Sequence, residues 1–173
     1  LLFQDLLRFH SPDKNPDALI DADLKRLEFA YQHGIFTNKD KLYESALQTI
    51  GNTYSNSAAA AQAGYLRAQL FYNRGQQYNS FTNQAPQFDI KTAADLCDSV
   101  IKKFPKSEGA IHAQQLLAGI LQPSLKLETE KVNIPNQPFR TLVTYKNTPT
   151  LFFRIIQTTH EQAQSMIRNN NDE

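Results

Sequence analysis

A change of hydrophobic period at Gln122-Pro123 limits the possible folds more than any other feature of the chain. Before it, apolar residues recur at i, i+3, i+4 and i+7, the spacing that lines one face of an α-helix. After it they alternate, as in Leu125, Leu127, Thr129 and then Phe139, Thr141, Val143, Tyr145, the spacing of a strand with one covered face. Proline at the junction lacks the N–H that would carry a helix onward. The expected class is α+β: an N-terminal array of about six helices in antiparallel hairpins over residues 1–122, followed by a partial antiparallel β-domain over 123–173 with three strands.

The helical part repeats itself. Setting Tyr54 on Phe104 also sets Leu47 on Cys97, Ile50 on Val100, Ser57 on Ser107, Ala63 on Ala113, Leu66 on Leu116 and Ala68 on Ala118. In the second copy Ala93, Leu96, Cys97, Val100, Ile101 and Phe104 form one broad apolar stripe. Pro105 stops that helix, Ser107 is placed to cap the next, and Ala110, Ala113, Leu117 and Ile120 supply its inward face. In the first copy Leu42, Tyr43, Ala46, Leu47, Ile50 and Tyr54 make the stripe, answered by Ala58, Ala61, Tyr65 and Ala68. Upstream, Asn15-Pro16-Asp17 reads as a helix start, with Ile20, Leu24, Leu27 and Tyr31 inward and Gly34 as a left-handed stop. Leu2, Phe3, Leu6 and Leu7 mark a preceding helix. Asn73 to Asp89, rich in Asn and Gln and broken by Pro86, reads as a long surface loop.

Charge narrows the partners. Lys plus Arg number 18 and Asp plus Glu 17, without clustering, so no basic stripe exists to neutralise phosphates and nucleic acid is not an expected partner. No apolar run reaches the ~20 residues of a membrane span, and no signal-peptide series is present. A chain that opens on Leu1 in mid-helix is expected to be a piece of a longer protein.

Ala93-Ala94-Asp95-Leu96, then Phe104-Pro105-Lys106-Ser107-Glu108 and Ala113, resemble the tetratricopeptide-like pattern of bacterial envelope proteins, in which a helix ends in aromatic-Pro-x-Ser and an alanine-rich helix follows. Downstream, Pro123 to Glu128 opens a strand, Val132 to Pro138 is a proline-bounded turn, and Thr141-Leu142-Val143-Thr144-Tyr145-Lys146-Asn147 is a second strand. Asn147-Thr148-Pro149 turns into Leu151-Phe152-Phe153-Arg154-Ile155-Ile156, the third. A strand ending in Tyr-x-Asn before an apolar strand with an Arg resembles the opening of the first macroglobulin domain of bacterial alpha-2-macroglobulin-like proteins. In several of those a helical segment comes first, as here.

The resemblance implies the N-terminal region of an extracytoplasmic protein, in the periplasm or at the outer membrane, that entraps or inhibits proteases. It implies proteases or envelope proteins as partners and a non-catalytic, structural or protein-binding role for this region. The alternative is a tetratricopeptide-type adaptor that binds peptides or envelope proteins in its concave groove. Family members often carry a thioester in a Cys-x-Glu-Gln run; His160-Glu161-Gln162 has the Glu-Gln pair without the thiol.

No catalytic, cofactor or metal site emerges from the residues. Asp13, Asn15 and Asp17 mimic the start of a calcium loop, yet Ala18 and Leu24 stand where glycine and glutamate are required. Cys97 lies in an apolar stripe and reads as a small buried hydrophobe. His10, His33, His112 and His160 are scattered and read as surface residues. No phosphate loop or nucleophile elbow occurs. The aromatic residues remain: Tyr65 and Tyr72 read as core, and Tyr78, Phe81 and Phe88 mark a candidate partner surface. Against this stands the reading in which Phe81 and Phe88 pin the Asn/Gln-rich loop to the helices.

The third strand has large apolar groups on both faces, more than three strands can cover. An exposed sheet edge is therefore expected, relieved by dimerisation through strand addition or by packing on the last helix pair. Ala163, Met166 and Ile167 suggest a short helix in the tail.

Overall fold

A computed structural model describes residues 2–130, 132–134, 137–154, 156–159, 161–162 and 164–165. The sequence expectations on Leu1, Pro135, Asn136, Ile155, His160, Ala163, Met166 and Ile167 lie outside them. The chain divides into two compact units at the junction named above, Leu1–Gln122 and Pro123–Glu173.

Among its described residues the first unit holds six helices: α1 (Leu2–His10), α2 (Asp17–His33), α3 (Lys39–Thr53), α4 (Ala61–Gly75), α5 (Asp89–Lys103) and α6 (Glu108–Leu121), with one 3₁₀ turn at Ala58–Ala60 before α4. At the start of α2 the Asn15 side chain accepts from Asp17 N at 3.2 Å, while Ile20 N reaches back to Pro16 O at 2.9 Å. Proline suits this place because its missing N–H would have had no partner.

Two clusters form the core, and α4 serves both. Ile20, Leu24 and Leu27 of α2 meet Tyr43, Leu47 and Ile50 of α3 and the Ala60, Ala63, Leu66 and Leu70 side of α4. Ala61 and Ala68, on the other side of α4, meet Cys97 and Val100 of α5 and Ala110 and Ala113 of α6. Ala61 and Ala68 were expected to answer α3 and instead answer the next hairpin. A helix sandwiched between two neighbours buries residues all round, so the spacing of its alanines does not tell which neighbour each one meets. Leu42, expected in the α3 stripe, is 57% exposed, at the edge of the buried face.

Glycines mark the close approaches. On Gly109 a Cβ would stand 2.5 Å from Gln62 N, so α6 rests on the backbone of α4. Gly34 is not the left-handed stop expected: its φ of −72° and ψ of 138° are extended. It is needed for space, since a Cβ there would run into the Phe36 ring and Ala30 O.

The second unit contains β1 (Ser124–Thr129) and β2 (Thr141–Lys146), antiparallel, with Leu125 opposite Tyr145 and Leu127 opposite Val143. These four share one face. Lys126 and Glu128 share the other and pair at 2.6 Å. Among the described residues the sheet has two strands, not three. Leu151 to Arg154 have no regular structure, and Phe152 and Phe153 are exposed. An apolar segment becomes a strand only when a ladder partner takes up its N–H and C=O groups, and among the described residues Leu151 to Arg154 enter no ladder.

Candidate functional site

Helices α3 and α5 both lean on α4 and leave a groove between them of about 150 Å³. Its floor is small because Gly64 sits against Val100, where a Cβ would come within 2.5 Å of Val100 Cγ2. Gly51 forms part of the α3 wall and has nothing within 4 Å of where its Cβ would be, so the groove is open there. Arg67 and Lys103 bring two positive charges to it, and Gln48, Asn52 and Ser99 bring amides and a hydroxyl.

The cations are held in different ways. Arg67 Nη2 donates to Glu44 Oε1 at 3.4 Å, a long bond, and among the described residues its buried Nε has no hydrogen-bond partner. Lys103 Nζ lies 5.2 Å from the centroid of the Phe104 ring, where the face of the ring attracts it. The groove thus combines backbone-sized space, hydrogen-bonding side chains and weakly neutralised positive charge.

The aromatic residues singled out in the sequence sit elsewhere. Tyr78 and Phe81 lie in the 76–88 loop between α4 and α5, with Phe88 as its last residue; all three are exposed, Phe81 to 93%. Phe81 and Phe88 therefore do not pin the loop. Its own polar side chains organise it: Asn79 Oδ1 accepts from Phe81 N and Thr82 N, Asn83 Nδ2 donates to Gln77 O, and Gln84 Nε2 donates to Ser80 O. Asn79 and Asn83 also pair through their backbones. At its base Arg74 clamps Asp89 with two bonds, Nε to Oδ2 at 2.5 Å and Nη2 to Oδ1 at 3.1 Å. Gly75 leaves room for Ile90 beside it. Sequence reading missed this clamp, although an Arg in the last turn of one helix and an Asp in the first turn of the next was a usable signal.

The remaining candidates have local partners. His10 Nδ1 pairs with Asp13 at 2.8 Å, and Asp17 accepts from Ser57 Oγ at 2.8 Å. His33 lies beside Phe29, with 4.6 Å between ring centroids. His112, expected on the surface, is partly buried: Nδ1 is 3.2 Å from Gln62 Oε1 and the ring packs near Tyr65. Gln62 and His112 are aligned positions of the repeat, so this contact joins the two copies at equivalent places. Cys97 is fully buried, and desolvation first, then the charge of Asp98, pushes its thiol up to about 11. Tyr43 is raised still further by burial, stacked on Tyr31 at 4.4 Å. Among the described residues, no three His, Cys, Asp or Glu side chains gather as a metal site, and no helix is long and apolar enough to cross a membrane.

No protein-family model matches the chain, and neither a curated protein nor a solved structure matches it.

Proposed function

We propose that this chain works by binding protein without catalysing a reaction, and that its helical unit holds a short extended segment of a partner in the α3/α5 groove. One observation carries the reading: the groove offers open, backbone-sized space at Gly51 beside the side chains of Gln48, Asn52 and Arg67. An extended segment presents unpaired N–H and C=O groups at every residue, and amides on the groove wall can satisfy them. This is the adaptor activity. The wider setting that the resemblance implies, the N-terminal part of an extracytoplasmic alpha-2-macroglobulin-like protein whose partners are proteases or envelope proteins, belongs to the same proposal and rests on the quoted residues alone.

Gly51→Leu tests it. The new side chain enters open space, so it fills the groove without disturbing α3, and replacing a mid-helix glycine stabilises the fold by roughly 0.5–1 kcal/mol. Peptides selected on the wild-type chain from a displayed random library are expected to bind G51L at least tenfold more weakly while its melting temperature holds or rises. Selection of no peptide, or of peptides that bind both proteins equally, defeats the proposal.

A further inference from the structure

We propose that the β-unit forms a homodimer in which β1 pairs edge to edge and antiparallel with β1 of a second copy, the two-fold axis passing through Leu127. The strand reads Ser124-Leu125-Lys126-Leu127-Glu128-Thr129. Turned about Leu127, it sets Lys126 opposite Glu128 of the second copy, Glu128 opposite that copy's Lys126, and Leu127 opposite itself. The strand is its own charge complement.

Three observations favour this occupant. Among the described residues the sheet ends at β1, whose outer edge carries a row of backbone groups without ladder partners. Such an edge is a template for another strand. A two-stranded sheet is also marginal in water, whereas pairing through β1 makes four strands in the order β2-β1-β1-β2. Finally, Lys126 and Glu128 lie on one face with their charges 2.6 Å apart, so in the dimer each lysine has a carboxylate beside it and another across from it, an alternating square of charge. On the opposite face Leu125, Leu127 and Tyr145, each about half exposed or more, run continuously from one copy into the other. The second edge is a poorer choice: β2, Thr141-Leu142-Val143-Thr144-Tyr145-Lys146, contains a lysine and no acid to answer it. None of these residues lines the α3/α5 groove, so the two proposals stand or fall separately.

Sedimentation equilibrium of the full 173-residue chain tests the pairing through charge exchange. The wild type is expected to show a reversible monomer–dimer equilibrium. E128K places lysine opposite lysine and K126E places glutamate opposite glutamate, so each alone is expected to weaken self-association by about tenfold or more. Mixed in equal amounts, the two variants present opposite charges at both positions and should recover dimer as a heterodimer. The double exchange K126E/E128K should dimerise like the wild type. All these positions are solvent-exposed; an unchanged helical circular dichroism signal confirms the helical unit, and recovery of dimer by the double exchange confirms the β-unit. A wild type that stays monomeric up to its solubility limit overturns the proposal. A dimer indifferent to E128K and K126E, as one formed through the helices would be, overturns it too.

Discussion

The α3–α4 and α5–α6 junctions make the same backbone bonds fifty residues apart, while the helices they join are packed by different side chains. Tyr54 N and Phe104 N close their helices on Ile50 O and Val100 O at 3.0 and 2.9 Å; Ser57 N and Ser107 N return to Tyr54 O and Phe104 O at 2.9 and 3.0 Å; each serine Oγ then accepts a backbone N–H at 3.1 Å. Beyond the turn the copies part. Ala59 is answered by Gly109, which lets α6 settle on the α4 backbone and start directly after its cap, whereas the first copy needs a 3₁₀ turn before α4. The first cluster is built mainly from Leu, Ile and Tyr with two alanines of the α4 side, the second from Ala, Cys and Val. The same backbone turn therefore serves two helix pairs whose seams are filled by side chains of different volume.

The contrast is broken most severely at the aligned pair Leu47 and Cys97, both with no exposed surface. Leu47→Ala removes three buried carbons from the aliphatic cluster and leaves a cavity, costing about 2–5 kcal/mol. Cys97→Ala removes a single sulfur from a seam already made of alanines and is expected to cost about 1 kcal/mol. Urea unfolding of both variants measures the difference. Equal losses would mean that the seams carry equal weight despite their composition.

Capping sharpens the comparison at intermediate size. Ser107→Ala removes a bond to Ala110 N and the Ser107 Oγ donation to Phe104 O, and Ser57→Ala removes one to Ala59 N together with the Ser57 Oγ donation to Asp17 Oδ1 that ties the α3–α4 turn to the start of α2. Each change is expected to cost about 1 kcal/mol, with the loss at Ser107 the larger because its hydroxyl is buried whereas the Ser57–Asp17 bond is exposed. A larger loss at Ser57 would show that the tie to α2 outweighs the buried cap.

These junctions were legible in the sequence because capping is local: a serine three residues after an aromatic helix end can be recognised without knowing what lies around it. The period change at Gln122-Pro123 was legible for the same reason. What could not be read was which side of α4 faces which hairpin, because Ala61, Ala63 and Ala68 fit either neighbour in size and only the assembled helices decide. The α3/α5 groove was not legible either. Gly51 and Gly64 become groove residues through the placement of Val100 on α5, which is distant in sequence, and a lone glycine within a helix pattern carries no sign of that. The exposed loop aromatics show the converse: Tyr78, Phe81 and Phe88 stand out by type, yet the Arg74–Asp89 clamp and the loop's amides hold its conformation.

The smallest expected effect lies at Glu28, on the side of the first cluster that faces Tyr43, Gln69 and Asn73. Burial first, and then the charge of Asp21, raises its carboxyl above the ordinary 4.5, with Lys25 opposing. A carboxyl that holds its proton more tightly in the folded chain lowers stability as pH climbs from its unfolded value through the raised folded one, because the folded state must then carry a poorly solvated charge. Glu28→Gln removes that charge and keeps the shape. The variant and the wild type should melt together near pH 4, and by about pH 7 the variant should be the more stable by a few tenths of a kcal/mol, since the group is only partly buried. Fifty residues on from Glu28 stands Tyr78, in the 76–88 loop, so this pH dependence belongs to the first hairpin and its α2 neighbour. A gap of the same size at both pH values would assign the effect to packing of the amide and not to the charge.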